Sequence, residues 1–114
     1  MIRKKEELEV ATRVNMKGGE GQVVQTKFAT QEEMLNHVRV FARLHLDPHC
    51  GIGHHIHEDE NELFLVEDGE AIYEDNGKEV SVKKGDICIC NPGSGHSVHT
   101  EDKACDLIAL VILK

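Results

Sequence analysis

The stretch "HVRVFARLHL", residues 37–46, sets apolar Val38, Val40, Ala42, Leu44 and Leu46 in alternation with His37, Arg39, Phe41, Arg43 and His45. A period of two marks a strand with one buried face. Further on, "ELFLVE" opens a second apolar run at Glu62, and "GEAIYEDNGKEVSV" places Asn76-Gly77 between two alternating segments. Asn-Gly in that setting predicts a two-residue hairpin, because both residues tolerate the positive φ the turn demands. "DICICN", "GHSVH" and "CDLIALVIL" continue the series. Short strands with turn signals about every ten residues predict an all-β, antiparallel sandwich or barrel.

The first third reads differently. Residues 1–12 are charged and without clear period, and "NMKGGEG", residues 15–21, is a glycine-rich loop or a tight approach to another chain. "TQEEMLN" sets Glu33 three residues after Thr30, a capping-box pattern that predicts one short helix of one or two turns. The 114 residues suit a single domain, 1–114, with an N-terminal arm and loop over 1–21 and a barrel over 37–113.

The formal net charge of −8 argues against a nucleic-acid partner, since phosphate binding needs clustered Lys and Arg. No apolar run is long enough to cross a bilayer, so no membrane partner is expected. The opening "MIRKKEELEV" is charged and lacks the apolar stretch of a signal peptide, and the expected location is the cytoplasm. There Cys50, Cys88, Cys90 and Cys105 are expected as free thiols, with Cys88 and Cys90 serving as small core residues on one strand face.

Histidine changes the picture. "GIGHHIHEDENELFLVEDGE" brings His54, His55 and His57 together before an apolar strand. In an extended segment His55 and His57 share a face, and His54 takes the other. Glu62, after a short turn, can return to meet them, and His96 at the start of "HSVH" offers a third imidazole. Three imidazoles and a carboxylate suit Mn, Fe, Co, Ni, Cu or Zn; the bland alternative is packed polar residues without metal. His54 and His99 fall on the opposite faces. His49 and Cys50 sit in the preceding loop, within possible reach of the site. Glu58, Asp59, Glu60, Glu67 and Asp68 read as a solvated acidic surface whose field favours a cation and opposes a multiply charged anion. Phe64 and Val66 share the face of Glu62 and, with Tyr73, are candidates for a pocket wall.

These residues resemble the two motifs of the cupins. The first runs glycine, five residues, His-x-His, three or four residues, Glu, six residues, glycine; His55, His57, Glu62 and Gly69 match it, while its opening glycine falls on His49. The second runs glycine, five residues, Pro-x-Gly, two residues, His, three residues, Asn. Gly85, Gly93 and His96 match; Asn91 stands at the proline and Thr100 at the final Asn. The resemblance implies a double-stranded β-helix, or jelly-roll barrel. At its mouth a divalent transition metal would be held by His55, His57, Glu62 and His96. It further implies action on a small organic molecule, of dioxygenase, decarboxylase or isomerase type, or else non-catalytic binding or sensing.

One last pattern concerns partners. "CDLIALVIL" is apolar at nearly every position from Leu107 onward, where a strand with one solvated face would alternate. Both faces are therefore expected to be covered, predicting a homodimer, with residues 13–28 as the candidate exchanged arm.

Overall fold

The computed structural model describes residues 1–114, and its regular secondary structure is almost entirely strand. Nine strands follow in chain order: β1 (Glu9–Val14), β2 (Gln22–Lys27), β3 (Val38–Leu46), β4 (Gly51–Ile56), β5 (Glu60–Asp75), β6 (Lys78–Lys83), β7 (Ile87–Cys90), β8 (Gly95–His99) and β9 (Cys105–Leu113). Every pairing is antiparallel. They form a jelly roll of two facing sheets, with β5 belonging to both. Its first half lies between β9 and β7, and its second half between β8 and β6. The first sheet runs β1-β2-β3-β9-β5, with β7 beyond it; the second ends at β4, which pairs with β8 alone.

The alternation in "HVRVFARLHL" holds: Ala42, Leu44 and Leu46 are buried while Arg39 and Phe41 are exposed. Leu44 and Leu46 pack with Leu107, Ala109, Phe64, Val66, Tyr73 and Val98 into one core between the sheets. Asn76 and Gly77 both take positive φ, 48° and 89°, in the tight turn between β5 and β6. Residues 9–27 add two strands to the open side of β3.

The capping box forms as expected. Glu33 N–H donates to Thr30 Oγ1, and Thr30 N–H donates to Glu33 Oε1. The helix it should start does not extend, because Leu35 and Asn36 turn left-handed (φ 57° and 58°) after a single turn. The only helical residues are two three-residue 3₁₀ turns, Lys5–Glu7 and Met16–Gly18.

A second difference bears on the site. The reading of Glu62 returning across a hairpin does not hold, because β4 and β5 do not pair. The chain crosses from the second sheet to the first between His57 and Glu60, through a left-handed Asp59 (φ 58°). His55 and Glu62 therefore approach each other across the core.

Candidate metal centre

His55 pairs directly with His96 in the β4–β8 ladder, so their side chains are cross-strand neighbours. A register shift between Ile52 and His55 makes this possible. In an unbroken strand Ile52 and His55 would face opposite ways; the bulge turns both inward. Gly53 sits in that bulge, where the 16–19 loop crosses so closely that a Cβ would lie 2.0 Å from the Lys17 carbonyl oxygen. His57 follows two residues after His55, and Glu62 enters from β5 on the face shared with Val111 and Cys90.

The three imidazole Nε2 atoms form a nearly equilateral triangle: His55 to His57 3.0 Å, His57 to His96 3.0 Å, His96 to His55 3.1 Å. Glu62 Oε1 lies 2.9 Å from His57 Nε2, 3.1 Å from His96 Nε2 and 3.9 Å from His55 Nε2. These four donors are the one group in the structure arranged to hold a metal ion.

The other ring nitrogens fix the protonation. His55 Nδ1–H donates to the Gly53 carbonyl oxygen at 2.8 Å, and His57 Nδ1–H to Glu60 at 2.8 Å. In its neutral form each ring then turns the Nε2 lone pair toward the others. Burial pushes Glu62 upward, yet the facing His55, His57 and His96 imidazoles outweigh it and hold the carboxyl well below its usual range. The hydrogen bond to Glu62 raises His57 against the opposing effect of burial. Lone pairs and a carboxylate converging in a buried space repel one another until a cation sits among them.

The spacing itself fits a metal. Donors about 2.1 Å from an ion stand about 3.0 Å apart at right angles and about 3.4 Å apart at tetrahedral angles. The observed nitrogen triangle has right-angle spacing.

His96 is braced from behind. Tyr73 Oη lies 2.8 Å from its Nδ1, and Phe64 stacks on its ring at 5.4 Å and 11°. Phe64, Val66 and Tyr73 are all buried in the core. His54 points outward to Glu74, and His99 is exposed. His49 and Cys50 do not join the four donors. They line a cavity of about 390 Å³ outside β4 and β8, where His49 faces Asp102. All four cysteines are free and buried, with burial pushing the Cys88 and Cys90 thiols up to about 11.

The motif glycines explain themselves by conformation. Gly69, Gly85 and Gly93 have φ of 79°, 96° and 84°, and His49, at the departed position, keeps the left-handed geometry at 58°. Thr100, at another departure, donates to the Asp47 carbonyl and accepts from the Cys50 amide, tying that loop to β8. Sequence reasoning placed Glu60 in a solvated turn; it bonds His57 and Arg39 instead. The only available signal was its spacing of three from His57 across a turn.

Comparisons agree with this geometry. The family described as "Cupin domain" matches residues 42–113. An oxalate-binding protein from Thermotoga maritima is 39% identical over 100 residues, 87% of this chain and 83% of that one. The crystal structure of a predicted oxalate decarboxylase from Thermotoga maritima aligns over all of both chains, with TM-score 0.94 and 35% identity. The cupin domain of Schizosaccharomyces pombe Cnp3 aligns over 93% of this chain and 70% of its own, with TM-score 0.73 and 11% identity, a likeness of fold alone.

Proposed function

This chain belongs to the cupin family, and on that premise we propose that it holds a divalent transition metal through His55, His57, Glu62 and His96 and binds a small dicarboxylate of the oxalate kind. One observation carries the reading. Glu62 Oε1 is close to His57 and His96 but 3.9 Å from His55, near the distance of about 4.2 Å for donors on opposite sides of an ion. Four donors so placed would hold an ion and leave room beside it for two further donor atoms. When bound, the metal supplies a Lewis acid with room for two neighbouring oxygens. Oxalate presents such a pair, and the name of the oxalate-binding relative supports the choice.

The acidic surface that opposes an anion is partly neutralised. Arg39 pairs with Glu60, Arg43 with Glu67 and Lys114 with Asp59. Binding without turnover is favoured over decarboxylation by the state of the neighbouring groups. Tyr73 is committed to His96 and raised by burial, Glu60 is committed to His57 and Arg39, and the nearby thiols are raised. None is free to move a proton at pH 7. Calorimetry with oxalate on metal-loaded and chelator-stripped protein tests this. The expected result is one site per chain in the loaded form only, weaker binding of acetate, and no release of carbon dioxide. Equal binding to both forms, or none, rejects the ligand; steady carbon dioxide release replaces binding with catalysis.

We also propose a homodimer, and the exposed apolar residues of the first sheet support it. Seven of the twelve exposed large apolar side chains, Val10, Val14, Phe41, Leu65, Ile87, Ile89 and Ile112, lie on the outer side of the first sheet. Arg43 and His45 on that side each pair with an acid. A near-neutral apolar face on an acidic chain suits a second copy packed sheet to sheet. Light scattering should give a dimer that Ile89→Lys dissociates; a monomeric wild type rejects it.

A further inference from the structure

Arg39 stands where β3 leaves register with β9, the shift falling between Val38 and Val40. A bulge places an extra residue in one strand and re-aims its side chain. Here Arg39 Nε and Nη2 donate to both oxygens of Glu60, at 2.9 and 2.8 Å. Glu60 Oε1 in turn accepts Nδ1–H of His57 at 2.8 Å. A continuous chain thus leads from a half-exposed guanidinium to a buried imidazole. The planar fork sets the plane of the carboxylate as well as its position, which a single hydrogen bond does not. A carboxylate so fixed holds the facing imidazole in one tautomer and one orientation.

We propose that Arg39 and Glu60 are positioning residues for the metal centre, acting through His57 to aim its Nε2 and to raise its donor strength. This rests on the metal reading above. The same strand carries a matched control. Four residues on, Arg43 makes the same kind of fork to Glu67, at 2.7 and 3.1 Å, but Glu67 meets no imidazole.

Cobalt(II) affinity, by competition with a chromophoric chelator, and the visible spectrum of the cobalt-loaded protein test the proposal. Glu60→Ala should weaken cobalt about 10–100-fold and change the spectrum. Glu60→Gln, which keeps an acceptor for His57, should recover part of the loss. Arg39→Ala should weaken cobalt by a smaller factor, and Arg39→Ala combined with Glu60→Ala should be no worse than Glu60→Ala alone. Arg43→Ala should bind as the wild type does. Unfolding midpoints of the metal-free proteins separate folding damage: Arg39→Ala and Arg43→Ala should lower them alike, while only the first moves cobalt. Wild-type affinity and spectrum in both Arg39→Ala and Glu60→Ala overturn the positioning role and leave the metal reading intact. So does an equal loss in Arg43→Ala. A wild-type chain that takes up no cobalt overturns both.

Discussion

His54 and His57 lie three residues apart, and each meets a carboxylate, Glu74 at 2.7 Å and Glu62 at 2.9 Å. Their surroundings differ. The His54 side chain is 54% exposed, and Glu74 is further satisfied by the Ser97 hydroxyl and the Gly77 amide. That pair is complete, with water to take up any change in charge. The His57 side chain is 6% exposed, with carboxylates at both nitrogens and two more imidazole nitrogens beside its Nε2. Acceptors there outnumber protons, and water cannot make up the difference. The comparison teaches that burial and an unbalanced donor count make a place suited to a cation, while histidine beside carboxylate alone does not.

The largest expected effect breaks the comparison at its buried side. His57→Ala should lower metal affinity by at least about 100-fold and remove the metal-dependent rise in unfolding temperature, because a ligand bound only by the folded state stabilises it. His54→Ala should retain the metal, with stability changed by about 0.5 kcal/mol or less. If His54→Ala strips the metal and His57→Ala does not, the register of β4 is wrong. Metal titration followed by differential scanning fluorimetry reads both.

Next in size is the support behind His96. Tyr73→Phe removes the partner of a buried ring nitrogen and should cost about 1–3 kcal/mol in chemical denaturation, with about a tenfold loss of metal affinity. A neutral outcome for both would mean that the tyrosine only packs. Smaller, and opposite in sign, is His49→Gly. It relieves a left-handed φ of 58° at a side chain that is 69% exposed, and should stabilise by about 0.5–1 kcal/mol.

The smallest effect extends the comparison to a third imidazole. His45 is raised, first by its hydrogen bond to Asp106 and then by Asp47, against burial. A folded pKa above the unfolded value gives stability that is fully present below about pH 6.5 and is lost as pH rises through the folded value. Asp106→Asn should flatten that decline in urea unfolding between pH 6 and 8, without touching metal uptake. An unchanged slope contradicts the assignment.

Much of this was legible because it is local. Alternation gave β3, Asn76-Gly77 gave the hairpin, and motif spacing brought out His55, His57, Glu62 and His96, which the fold gathers. What stayed hidden depends on long-range pairing. The bulge that turns Ile52 and His55 to one side needs β8 opposite, and the crossing from His57 to Glu60 needs the other sheet. Glu60 looked like solvated acid because nothing nearby in sequence announces Arg39, 21 residues away. The short helix at Thr30 had its cap but not its length, since two left-handed residues stop it.

Elemental analysis of the purified protein, repeated after chelation and reloading with Mn, Fe, Co, Ni or Zn, tests the central claim most directly. About one transition-metal ion per chain is predicted, recovered on reloading, with the weak visible bands of six-coordinate cobalt in the cobalt form. No metal as purified and no uptake of any of the five would contradict the account.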